Sequence, residues 1–157
     1  MIVSTGFKSR ILGTEGFTEI FTRSAIFIFS GTRPASADDA DSTGTLLGIV
    51  SWNGLPWDFT STFNGLTFFK DGPYVLKDPS QNWVLNPTNS GIASWFRLYS
   101  ADPGDLRQTG YTFARIDGDI APQSAPGDAE MVFESTTVVA GHPVVLDYFL
   151  YTILPVA

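Results

Sequence analysis

The single histidine, His142, lies in Gly141-His142-Pro143 and limits the chemistry this chain can perform. One imidazole rules out a metal centre built on two or three of them, and a Ser-His-Asp triad with a spare. What remains is a lone general base, and with no Ser or Asp fixed beside it by motif, the plainer reading is a turn residue. The segment Asp39-Ala40-Asp41-Ser42-Thr43-Gly44 has oxygen ligands at positions 1, 3 and 5 of a calcium loop and glycine at position 6, but Val50 stands at position 12 where a bidentate Glu is needed. A solvated Asx-turn loop is expected there instead. Asp117 and Asp119 read as a turn pair around Gly118. The only glutamates, Glu15, Glu19, Glu130 and Glu134, form no convergent carboxylate pair by pattern. Gly13-Thr14-Glu15-Gly16 lacks the Lys-Ser/Thr that completes a phosphate loop. No catalytic residue, cofactor site or metal site is expected, and the chain reads as non-enzymatic.

Rings are what it has in abundance. Aromatic residues make up 14% of the chain, with 13 Phe and 4 Trp, against only 16% charged residues. Each large ring buries about 150 to 250 Å² in typical proteins, so the surplus over a small core points to an interface. The candidate interface residues are Phe7, Phe17, Phe21, Trp52, Trp57, Trp83 and Trp95. In Trp52-Asn53-Gly54-Leu55-Pro56-Trp57 turn residues separate two indoles, an arrangement that presents rings either to a neighbouring protein or, as a platform, to a sugar.

Composition narrows the partners. A formal net charge of -7 and scattered Lys and Arg argue against a nucleic-acid backbone. Zero cysteines exclude disulfides and thiolate metal sites. No apolar run reaches the roughly 18 to 20 residues that span a bilayer, and Lys8 and Arg10 precede no signal-peptide core, so no membrane partner and an unexported, soluble chain are expected.

The elements that must position these residues are mostly strands. Ser4 or Thr5 can cap a short helix over residues 7–12 that ends at Gly13, and residues 15–22 place Phe17, Ile20 and Phe21 on one helical face. Strand patterns follow at 25–30, 46–51, 66–70, 92–99, 111–116, 131–139 and 144–154, with Gly and Pro between them. Residues 117–128 read as a long mobile loop or arm, and the apolar last strand as a central one covered on both faces. The expected fold is all-β, an antiparallel β-sandwich or jelly-roll-like barrel, with an N-terminal helical arm at 1–23 and a single β-sandwich domain at 24–157.

Several stretches carry a family resemblance. Ser4, Thr5, Gly6 and Phe7, then residues 28–31, 34–38 and 43–47 (IFSG, PASAD and TGTLL), residues 91–99 (GIASWFRLY) and residues 146–155 (LDYFLYTILP) resemble motifs of a group of small tailed-bacteriophage virion proteins. The resemblance implies a structural protein of the virion, assembled in the host cytoplasm. Its expected partners are the major capsid protein or other virion proteins and copies of itself. A capsid cement or decoration protein suits the small size, acidity and aromatic surplus; a tail, neck or fibre-attachment component, or a carbohydrate-binding module that meets a host glycan through the Trp52 to Trp57 loop, are the alternatives. The apolar ends, residues 1–7 and 154–157, are expected to pack against neighbours.

Overall fold

The structure, a computed structural model, describes residues 1–152. Strands hold 39% of the residues and helices 7%, an antiparallel, sandwich-like all-β fold that does not close into a barrel. In chain order the elements are β1 (Ile2–Val3), α1 (Thr5–Ile11), α2 (Phe17–Ile20), β2 (Ala25–Gly31), β3 (Gly44–Trp52), β4 (Phe68–Asp71), β5 (Tyr74–Lys77), β6 (Trp83–Pro87), β7 (Gly91–Ile92), β8 (Trp95–Tyr99), β9 (Arg115–Pro122), β10 (Met131–Phe133), β11 (Thr137–Val138), β12 (Val144–Leu146) and β13 (Leu150–Thr152).

The large sheet runs β1-β9-β8-β2-β3-β6-β12, with β10 added to β9 in a parallel pairing. Smaller sheets are β13-β5-β4 and β11-β7. Side chains alternate across the large sheet, and both of its faces are covered. Ile26 and Ile28 of β2, Phe96 and Leu98 of β8 and Ile116 of β9 join the main core, where Phe7, Phe17 and Phe21 of the helical segment and Phe68, Val75 and Phe149 of the three-stranded layer meet them. Rings interlock across this layer boundary: Phe17 lies 4.9 Å from Tyr151 and Phe68 5.1 Å from Trp83, centroid to centroid. The opposite face carries Ala25, Phe27, Phe29, Trp95 and Tyr99, covered by Trp57 and Phe59 of the loop after β3.

Covering both faces takes up most of the rings, and with them six of the seven candidate interface residues. Phe7, Phe17, Phe21, Trp57, Trp83 and Trp95 are all buried within the chain; of the seven candidates only Trp52 stands partly in solvent. Residues 1–23 are tied to the large sheet. β1 pairs with β9, and Ser4 caps α1 by accepting the Phe7 N–H. The expected contact of residues 154–157 with neighbours lies outside the described residues.

Other expectations shift. The apolar C-terminal run is two short strands in different sheets, β12 at the rim of the large sheet and β13 on β5, rather than one central strand. Residues 117–122 are not a mobile loop but the last six of the eight residues of β9, and residues 111–114 precede that strand. β5 and β6 arise in a segment between Gly and Pro signals where no strand pattern stood out. Among the described residues no helix is long and apolar enough to cross a membrane.

Candidate functional site

Tryptophan, arginine and tyrosine alternate along β8, so Trp95, Arg97 and Tyr99 share the loop-covered face. Antiparallel pairing sets Asp117 directly opposite Arg97 and Arg115 opposite Tyr99. An unpaired guanidinium here would lose several kcal/mol of hydration, so its position depends on partners. Arg97 donates from Nε and Nη2 to the two Asp117 oxygens at 2.6 and 2.8 Å, a two-pronged bond between side chains with no solvent exposure. Its remaining nitrogen donates to the Asp39 carbonyl at 2.7 Å. Arg115 donates to Asp105 at 2.7 and 2.5 Å, also fully buried, and to the Gln108 carbonyl at 2.8 Å.

A third arginine joins the two loops thus gripped. Arg107 Nε and the Tyr99 hydroxyl both donate to Asp41 Oδ2 at 2.7 Å. Burial opposes the Arg97 charge, yet its hydrogen bonds to Asp117 and the attraction of that carboxylate outweigh burial and hold the guanidinium protonated above its ordinary range. Burial also pushes the Tyr99 phenol well above its ordinary value, and the neighbouring Asp41 carboxylate adds to the shift. Tyr99 therefore remains a donor to Asp41.

The same network ties down the N-terminus. Asp38 accepts from the Thr5 N–H at 2.8 Å and from the Thr5 hydroxyl at 2.7 Å, while Ser4 Oγ accepts the Arg115 N–H at 2.8 Å and donates to the Phe113 carbonyl at 2.8 Å. Gly6 completes the joint, because a Cβ there would overlap the carbonyl oxygens of Thr112 and Phe113. Three separated motifs, Ser4-Thr5-Gly6, Pro34-Ala35-Ser36-Ala37-Asp38 and the strand arginine Arg97, thus meet in one structure.

That clamp presents apolar side chains to solvent. In Asp105-Leu106-Arg107 both flanking residues are held inward by ion pairs, which turns Leu106 outward at 72% exposure. Arg107 takes φ 62°, a left-handed conformation uncommon for a residue with a side chain, and its bond to Asp41 holds it there. Tyr111, further along the same loop, is 67% exposed. Next to Leu106 lies a shallow recess of about 330 Å³ lined by Ala40, Asp41, Ser42, Gly44, Arg107 and Gln108. The assembly comprises two loops, three arginine anchors and two large side chains facing out.

No family model, curated protein or solved structure matches this chain.

The calcium-like segment has another use than the solvated Asx loop expected of it. Asp41 is nearly buried between Arg107 and Tyr99, and Asp39 accepts the Ser36 N–H. Among the described residues, no group of three or more His, Cys, Asp or Glu side chains is placed to hold a metal ion. Asp117 and Asp119 are strand residues, the first bound to Arg97 and the second paired with Arg33 at 3.0 Å, and Gly118 between them makes room for the Phe96 ring. The Trp52 and Trp57 indoles do not form a shared platform. Trp57 packs edge-on to Phe27 at 5.9 Å and donates its Nε1–H to the Arg23 carbonyl, which leaves Trp52 alone at the surface. His142 occupies the turn between β11 and β12, its N–H bonded to the Val139 carbonyl.

Sequence reasoning missed the clamp. One signal was visible in the alternation Trp95, Arg97, Tyr99, a strand face too charged for a core and too aromatic for solvent. Its partners were hidden because Asp105 and Asp117 sit among glycines and prolines that read as loop.

Proposed function

We propose that this chain is a non-enzymatic structural protein of a tailed-phage virion, acting through contacts with other protein chains, and first of all a capsid cement or decoration protein that stabilises the shell. The observation that carries the reading is the clamped presentation of Leu106 and Tyr111. Ordering a loop on binding consumes part of the interaction free energy, so a loop already held at Asp105 and Arg107 by ion pairs binds with less loss. Tyrosine is enriched where protein interfaces concentrate their affinity. A modest contact of this kind, repeated over the copies of a symmetric particle, sums to a large effect on particle stability.

The virion assignment rests on the sequence resemblance. Of the residues that carry it, Ser4, Thr5, Gly6, Asp38 and Arg97 take part in the clamp, while Asp105, Leu106 and Arg107 lie outside the resembling stretches. The second reading, a tail, neck or fibre-attachment component, uses the same surface with fewer copies. The sugar-binding alternative loses its physical basis with the interior placement of Trp57.

Quantitative mass spectrometry of purified particles tests the proposal. Hundreds of copies per particle support the cement reading, and six, twelve or a few tens the tail or neck reading. Absence of the chain from assembled particles would overturn both.

A further inference from the structure

The two ends of the large sheet line one groove. β10 and β12 are its terminal strands on opposite sides, and neither has a partner on its outer edge among the described residues. Yet Val132 and Phe133 of the first and Val144, Val145 and Leu146 of the second border the same groove of about 700 Å³, together with Glu134, Asp147 and Tyr148. The fold therefore brings both edge strands to one groove without closing the sheet.

The main-chain groups along both edges are set by register. The Phe133 carbonyl accepts the Gln123 N–H, so Phe133 bonds toward β9 and Val132, one residue earlier, directs its N–H and C=O the other way. On the other side, Thr88 and Asn82 bond toward β3, through the Leu47 carbonyl and the Asn53 N–H; residues 83 and 85 of the intervening β6 consequently bond toward β12, opposite Leu146 and Val144. Val145 is left with its N–H and C=O directed out of the sheet. The side chains of Val132, Val145 and Tyr148 are exposed, while Met131, Phe133 and Leu146 are anchored in the core.

We propose that this seam receives an extended polypeptide segment of another protein, which adds as a strand between β10 and β12 and carries a basic residue beside an apolar one. Unpaired strand edges are the usual seat of such strand addition. The dimensions agree: a strand at about 4.8 Å spacing, 10 Å layer thickness and 3.3 Å rise takes up roughly 160 Å³ per residue, so the groove holds about four residues against the three of each flanking strand. Its charge selects the occupant. Glu134 and Asp147 line the groove and no Lys or Arg does, while the chain's own net charge of -7 makes a second copy a like-charged partner. This site is separate from the clamped loops, and its failure leaves their reading untouched.

The probe is a fluorescein-labelled Lys-Val-Thr-Val-Thr-Lys peptide, followed by anisotropy on the full-length protein with amide hydrogen exchange as a second readout. Saturable binding that slows exchange at Val132 and Val145 is expected. Methylating alternate peptide nitrogens should weaken it at least tenfold, because main-chain donors are lost while the side chains stay. Val145→Pro removes the outward N–H without touching the ladder to β6 and should cause a similar loss; Asp147→Lys, an exposed change that leaves every main-chain donor in place, should cost severalfold at low salt. No binding, or equal binding by the methylated peptide or by both variants, would overturn the proposal. So would concentration-dependent dimerisation that Val145→Pro abolishes, which would make a second copy the occupant. Newly exchanging Val132 and Val145 amides in a chain lacking residues 153–157 would also overturn it, since the chain's own end would then fill the seam.

Discussion

Arg97 and Asp117 illustrate how a buried charge is made tolerable and why its loss is costly. Each supplies what the other would otherwise lose from water, so removing one member leaves an uncompensated charge and costs about 3 to 5 kcal/mol. Arg97→Met is therefore expected to lower the thermal midpoint by on the order of 10 °C, since each kcal/mol corresponds to roughly 2 to 4 °C at this size. Arg97→Met combined with Asp117→Leu should recover much of that loss. Differential scanning calorimetry of the three proteins checks it: a double variant as unstable as the single one would show that the pair is not the unit of stability.

Tyr99 adds a pH dependence of defined sign. Its phenol holds its proton more tightly in the folded state than the ordinary value near 10 of an unfolded chain, so its contribution to stability is complete below about pH 10 and is lost as pH rises beyond that. Burial raises the Tyr151 phenol in the same direction. Urea midpoints measured from pH 8 to 11 should fall on the alkaline side, and Tyr99→Phe should flatten that fall. An unchanged alkaline slope in the variant would mean that the Tyr99 proton is not linked to folding.

Among the elements, those legible in the sequence were the ones stabilised by local pattern. The Ser4 cap of α1, the shared face of Phe17, Ile20 and Phe21, and the alternating apolar runs that became β2 and β3 each follow from neighbours a few residues apart. β9 was legible only at its first two residues, for a physical reason. Its sequence, Arg-Ile-Asp-Gly-Asp-Ile-Ala-Pro, puts charges where a core strand normally has apolar side chains, and only the pairing with β8, 20 positions from Arg97 to Asp117, makes those charges interior. The clamp shares that difficulty, because Asp38, Asp41, Asp105 and Asp117 resemble turn residues until the strands that neutralise them are in place. The joint between α1 and the loop before β9 gives a test at this scale. Gly6→Ala forces a methyl group against the backbone at residues 112–113, and overpacking of this sort typically costs about 1 to 3 kcal/mol. We expect a lowered thermal midpoint with faster amide exchange concentrated at residues 105–113; a variant as stable and as protected as the parent would place the joint elsewhere.

At the scale of the whole molecule, most of the rings that pointed to an interface lie inside. A sheet covered on both faces needs rings on both, and Phe7, Phe17, Phe21, Trp57, Trp83 and Trp95 supply them. Under the proposed function, contact is made by exposed side chains on the arginine-held loops, Leu106 and Tyr111. Replacing both with acids isolates that claim, because neither side chain packs in the core and exposed substitutions of this kind usually change stability by less than about 0.5 kcal/mol. The decisive measurement is incorporation of the Leu106→Asp, Tyr111→Asp double variant into purified particles, quantified against the parent chain by mass spectrometry. The expected result is a protein with the parent's melting temperature and at least tenfold lower incorporation. Full incorporation of an equally stable double variant would contradict the clamped loops as the contact surface.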